Sequence, residues 1–136
     1  MGITIKIPVS TGELVDKITI LEIKCKKIKE TEKLRLINHE LKLLSGELIK
    51  LLNNYSKSID EYTSLKNKLH RVNLKLWKIE DDIRELEAYK DFGKKFIELA
   101  RSVYLNNDKR SQIKNRINKL FQSQIQDVKS YTPYKR

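Results

Sequence analysis

Apolar and polar positions along the chain recur with a helical period. Between residues 65 and 86 the apolar positions are Leu65, Leu69, Val72, Leu76, Ile79, Ile83 and Leu86, at alternating steps of four and three. That heptad spacing marks a helix packed lengthwise against other helices. Nearer the start, Ser10-Thr11-Gly12-Glu13 has the capping-box spacing that opens a helix. A seam of Leu14, Ile18, Leu21, Cys25 and Ile28 follows, widened by Ile20 and Ile23, so this helix is buried on more than one side. The phase changes around Thr31, and a third seam runs Leu34, Ile37, Leu41, Leu44, Leu48 and Leu51. Asn53-Asn54 and residues 56–58 read as a connection, and Ser58-Ile59-Asp60-Glu61 is a second capping box. The seam nevertheless stays in phase through Tyr55, Ser58 and Tyr62. Two helices joined by a turn and one helix from about residue 33 to residue 89 therefore both fit, the latter roughly 85 Å long and in need of a partner chain. Asp91-Phe92-Gly93 is the next break; with no Gly-rich loop and no H-R-D it reads as a helix cap rather than a kinase magnesium motif.

The last seam is Phe96, Leu99, Val103, Asn106, Arg110, Ile113, Ile117 and Leu120. Asn106 and Arg110 occupy core positions, so either the helix breaks at residues 106–108 or it continues and carries a polar layer inward. Isolated polar residues at such positions set register or bind something. The pattern predicts an all-α fold: an antiparallel helical bundle or coiled coil of three to four long helices. They span about 11–30, 32–53, 58–90 and 92–125, in a single domain. Ahead of them, Ile3, Ile5 and Ile7 share one side of a short extended segment, residues 3–8, which could form one N-terminal strand. Residues 129–136 read as a flexible tail.

Composition narrows this further. The 136 residues are 39% apolar and 35% charged, with only four Gly and two Pro, the profile of a helical protein. No apolar run approaches the roughly 18 residues that cross a bilayer, and the alternating start is no secretory signal. A cytoplasmic protein without membrane partners is expected. The single cysteine, Cys25, sits on a seam and reads as a small buried hydrophobe. Two isolated histidines and one cysteine make no zinc site, so neither metal nor cofactor is expected. The net charge is +11, and residues 101–136 alone hold nine basic groups against two acidic ones. Such an excess attracts polyanions, nucleic acid included, although lysine also serves simply to keep helix surfaces soluble.

The central helix has a second stripe of Leu74, Trp77, Asp81, Arg84 and Ala88, at steps of three and four. Apolar residues on both faces imply that something covers Trp77, which would leave Asp81 and Arg84 partly buried and paired. The partners expected for them are Asp16 and Lys17 on the first helix, and Arg101, Tyr104, Asp108, Arg110 and Lys114 on the last. Trp77, Asp81, Arg84 and these seven residues form a candidate ligand pocket of ten, with Trp77 as a stacking floor, Arg84, Arg101 and Lys114 as anion ligands and the acids as orienters. The alternative is a salt-bridge network that only fixes register. No catalytic residue is assigned, because Asp82 and Glu85 form a lone D-x-x-E without the second acidic pair of magnesium-dependent helical pyrophosphohydrolases.

Several segments carry a resemblance. They are the stretch from Pro8-Val9-Ser10-Thr11-Gly12-Glu13 to Ile23-Lys24, then Leu76-Trp77-Lys78-Ile79-Glu80-Asp81-Asp82-Ile83-Arg84, then Leu99-Ala100-Arg101-Ser102-Val103-Tyr104 with Asn107-Asp108, and Val128-Lys129-Ser130-Tyr131. Taken together, the chain resembles an uncharacterised family of small all-helical bacterial and phage proteins, a domain of unknown function. The likeness covers nearly the whole chain and implies no activity. The leading expectation is a non-enzymatic, homodimeric binding module whose polar pocket receives a phosphorylated or otherwise anionic small molecule or an acidic protein segment. The alternatives are a nucleic-acid binder using the basic C-terminal quarter, and a small all-α enzyme acting on a phosphorylated metabolite.

Overall fold

A computed structural model describes residues 2–55 and 59–135. It contains four helices, α1 (Thr11–Lys27), α2 (Thr31–Asn54), α3 (Ile59–Ala88) and α4 (Lys94–Leu120). The capping box works as its spacing implies: Ser10 Oγ accepts the Glu13 N–H at 3.0 Å and satisfies one of the free donors that open α1. Lys24, Lys26 and Lys27 crowd the last turn, where cations suit the negative end of the helix dipole. Extended backbone at Ile28 then stops α1 three residues short of the expected end.

The α3–α4 turn uses the Asp91-Phe92-Gly93 break. Lys90 takes a left-handed conformation (φ 56), Asp91 Oδ1 accepts the Gly93 N–H at 3.2 Å, and Gly93 is the N-cap of α4. The two helices run antiparallel, with Phe92 on Phe96 at the turn and Tyr62 on Phe121 at the far end. α1 lies against this hairpin and antiparallel to α4, so Gly12 meets Asn118 and Asp16 meets Arg110. α2 folds back along α1 and packs chiefly on it, not along α3. α2 and α3 are thus separate helices, and the second capping box falls partly on residues 56–58, outside the described residues.

The core contains Val15 and Ile18 of α1, Leu48 of α2, Tyr62, Leu65 and Leu69 of α3, and Ile113, Ile117 and Phe121 from α4 and its cap. Each such side chain contributes roughly 1.5–3 kcal/mol by leaving water. The α3 seam stays buried or half-buried from Leu65 to Leu86, as its spacing requires.

Four expectations are corrected. No strand occurs among the described residues; Ile3, Ile5 and Ile7 alternate correctly but have no neighbouring strand, and Ile3 is 93% exposed. α4 begins at Lys94 and ends at Leu120, where a left-handed Gln122 (φ 54) turns the chain and Ser123 donates to the Asn118 carbonyl at 2.8 Å. The tail is docked: the Tyr134 ring packs edge-on against Tyr104, and its hydroxyl donates to Asp108. Cys25 is half-buried, with its thiol 3.2 Å from Asn38 Oδ1.

Candidate functional site

α4 runs unbroken through residues 106–108, so the polar layer is real. Asn106 is buried and returns its amide to the Ser102 carbonyl at 2.7 Å. One turn on, Arg110 reaches across to Asp16, whose side chain is completely buried. Arg110 Nε donates to Asp16 Oδ1 at 2.9 Å and Nη2 donates to Oδ2, a two-pronged grip. Asn73 of α3 donates to the same Oδ1 and to Thr19 Oγ1, both at 2.9 Å, while the Thr19 hydroxyl donates to the Asp16 carbonyl at 2.7 Å. Three helices are thereby tied at one point. Those hydrogen bonds to Asp16 hold the Arg110 guanidinium above its ordinary pKa despite partial burial.

A second network holds the first turn of α1. Gly12 donates its N–H to Asn118 Oδ1 at 2.6 Å, and Lys114 pairs with Glu13 at 2.7 Å and more loosely with Asp127 at 3.8 Å. Asp127 accepts the Ser111 hydroxyl at 2.7 Å, and its backbone exchanges hydrogen bonds with the Asn115 side chain at 2.8 and 3.0 Å. The residues after α4 are thus strapped back along it, from Asn115 to Tyr104.

The ten predicted site residues separate. A cleft of about 460 Å³ between α1, α3 and α4 is lined by Trp77, Asp81, Arg84 and Arg110, with Ile20, Ile23 and Leu76 as an apolar wall and Asp16 just behind. Lys17 and Arg101 are exposed and do not line this cleft. Tyr104 and Asp108 engage Tyr134 of the tail, and Lys114 belongs to the Glu13–Asp127 network. Arg84 stays on its own helix, paired with Glu80. The stripe expected to be covered is open: Leu74, Asp81, Arg84 and Ala88 are exposed or half-exposed and Trp77 is half-buried. The reason is geometric, since α1 covers only one flank of the α3–α4 hairpin and α2 lies beyond α1.

Sequence reasoning missed Asn73, Glu13, Asn118 and Asp127. Asn73 had a signal, standing four residues after Leu69 and three before Leu76 on the buried side of α3; Glu13 and Asn118 answer partners about a hundred residues away, and Asp127 answers Ser111, Asn115 and Lys114 across the turn that ends α4. Among the described residues no group of three or more His, Cys, Asp or Glu is placed to hold a metal ion.

The flank of the hairpin that carries Lys68, Arg71, Lys109 and Arg116 has a different character. Lys68, Arg71, Lys75 and Lys78 form one stripe on α3, and Lys109, Gln112, Arg116 and Lys119 form one on α4, each at steps of three, four and three. Between them lies a hollow of about 350 Å³ lined by Lys68, Arg71, Lys109, Gln112 and Arg116 over Val72 and Ile113. A neighbouring hollow of about 580 Å³ adds Lys27, Lys75 and Lys78 beside Leu74 and Trp77. Lys78 is paired with Asp82 at 3.2 Å; Lys27, Lys68, Arg71, Lys75, Lys109 and Arg116 have no ion-pair partner among the described residues.

One family model matches residues 5–135, and it describes a family of unknown function, DUF6165. The chain belongs to that family. The DUF6165 match takes in all four helices and both polar networks. No curated protein and no solved structure matches the chain. No helix among the described residues is long and apolar enough to cross a membrane.

Proposed function

We propose that the protein is a non-enzymatic, helical nucleic-acid-binding module that uses the open basic flank of the α3–α4 hairpin. One observation carries this reading: six cations from three helices converge around two adjoining hollows, and none of them is neutralised by a carboxylate among the described residues. Cations held this way keep their positive field for a partner, and phosphate backbones are the polyanions that such fields bind through counterion release. The anionic-ligand reading of the cleft between α1, α3 and α4 has less support. Arg110 already commits two of its donors to Asp16, Arg84 is paired with Glu80, and Asp81 adds a further negative charge to the cleft.

The test is fluorescence anisotropy of the whole chain with labelled nucleic acid at about 50 and 200 mM salt. Binding should fall by roughly 100-fold or more across that range and be largely abolished in the double variant Lys109→Glu/Arg116→Glu. The variant Lys42→Glu/Lys94→Glu makes the same charge change away from this flank and should bind almost normally. Equal losses in the two variants would mean that net charge, not this surface, is responsible.

A further inference from the structure

The nucleic-acid reading leaves open which form of the polymer fits, and the layout of the basic flank addresses that. Its cations are arranged as two rows, not as one patch. The α3 row, from Lys68 to Lys78, and the α4 row, from Lys109 to Lys119, each advance ten residues, about 15 Å of helix. The rows lie on antiparallel, packed helices whose axes are about 8–10 Å apart, so their separation is fixed by the core and not by flexible loops. The floor between them is aliphatic, Val72 and Ile113, and no aromatic ring lines that hollow. Trp77, the nearest aromatic named with these cations, belongs to the neighbouring hollow.

Proteins that hold single strands combine one basic track with rings on which bases stack. A duplex instead presents two lines of phosphate with its bases stacked inside, and proteins that bind it without reading sequence contact both backbones. We infer that the α3 and α4 rows straddle a nucleic-acid duplex, each row facing one phosphate backbone, in a shape-dependent and sequence-independent contact. This rests on the nucleic-acid reading above and adds the form of the ligand and a role for each helix. It also explains why the hollow holds Gln112 amid the cations of the α4 row: an uncharged donor can bond a phosphate or sugar oxygen as a lysine does.

The experiment compares full-length protein on three labelled probes of about 20 nucleotides or base pairs: duplex DNA, duplex RNA and an unstructured single strand. At least one duplex should bind about tenfold or more tightly than the single strand, and permuting the duplex sequence should change affinity less than about twofold. The α3-row variant Lys68→Glu/Arg71→Glu and the α4-row variant Lys109→Glu/Arg116→Glu should both weaken duplex binding. Neutral versions of each pair, to Gln, should lower the slope of log K against log salt by roughly 0.9 for each phosphate that is no longer neutralised. Circular dichroism of each variant establishes that the helices are intact. A single strand that binds as tightly as the better-bound duplex, or a weakening confined to one row, overturns the two-row inference and leaves the broader reading standing. No binding of any probe at the lower salt overturns both.

Discussion

Replacing Arg110 by Ala tests the central tie between α1, α3 and α4. Its guanidinium supplies two of the three hydrogen bonds received by the Asp16 carboxylate, and Asn73 supplies the third. The Asp16 side chain has no exposed surface, whereas that of Arg110 is 29% exposed. Removing Arg110 therefore leaves a buried carboxylate with one amide donor, a change that typically costs about 3–5 kcal/mol. Water entering from the Arg110 side and the surviving Asn73 bond put the value near the lower end, about 3 kcal/mol. For a chain of this size that lowers Tm by roughly 10 °C. Urea and thermal unfolding followed at the helical circular-dichroism band measure it directly. Changing both partners to apolar residues, Asp16→Leu with Arg110→Met, should recover much of the stability, because no charge is then stranded. A single-variant effect below about 1 kcal/mol, or a double variant much less stable than Arg110→Ala, would refute this account of the pair.

Other expectations follow from named contacts. Tyr62 is buried, its hydroxyl has no hydrogen-bond partner among the described residues, and burial first, then the nearby Glu22 charge, pushes its pKa up to about 12. A folded pKa above the ordinary value of about 10 means that stability is intact below pH 10 and is lost as pH rises from 10 towards 12, by about 2–3 kcal/mol. Tyr62→Phe should fold at least as stably at neutral pH and show a smaller alkaline decline in unfolding titrations. Gly12→Ala would set a methyl group 2.8 Å from Asn118 Oδ1 and closer still to the Lys114 carbonyl oxygen, forcing α1 off α4. Its thermal unfolding should show destabilisation of about 1–3 kcal/mol or more. Asp127→Ala frees Lys114 and Ser111 from the tail, and limited proteolysis should then cut between residues 121 and 135 faster than in the parent protein. Arg101→Ala, at an exposed position outside the cleft, should move stability by no more than about 0.5 kcal/mol.

Much of the helical frame was legible because its causes are local. The Ser10 cap, the α3 seam and the Asp91-Phe92-Gly93 break each depend on residues within a few positions of one another. The polar layer was legible as well, since Asn106 and Arg110 stand where the seam calls for apolar groups; Asp16 and Arg110 were both expected to answer Asp81 and Arg84, and instead they answer each other. Other features depended on spatial relations that periodicity does not encode. The second stripe of α3 has the spacing of a buried face, but whether Trp77 is covered depends on which side α1 and α2 take. Arg84 looked like a long-range partner because its stripe did; Glu80, four residues earlier, was nearer and sufficed. The extended start alternates as a strand does, yet alternation cannot supply a neighbour to pair with. The basic excess was visible as a count over residues 101–136, whereas the cations that line the two hollows without an ion-pair partner among the described residues come from α1, α3 and α4, and Arg110 and Lys114 are paired internally.

The reach of the Asp16–Arg110 pair bears on how the chain is made. The partners are 94 residues apart, and Gly12 and Asn118 are 106 apart. At a synthesis rate of roughly 5–20 residues per second, Asp16 leaves the ribosome about 5–20 s before the arginine that neutralises it. During that interval α1 can lean on α2, which folds back along it, and on Asn73 of α3, but Asp16 has no cation beside it. The first helix to be made is thus among the last to be locked. A nascent chain halted before α4 would leave the Asp16 carboxylate with Asn73 as its one amide donor and Gly12 without Asn118.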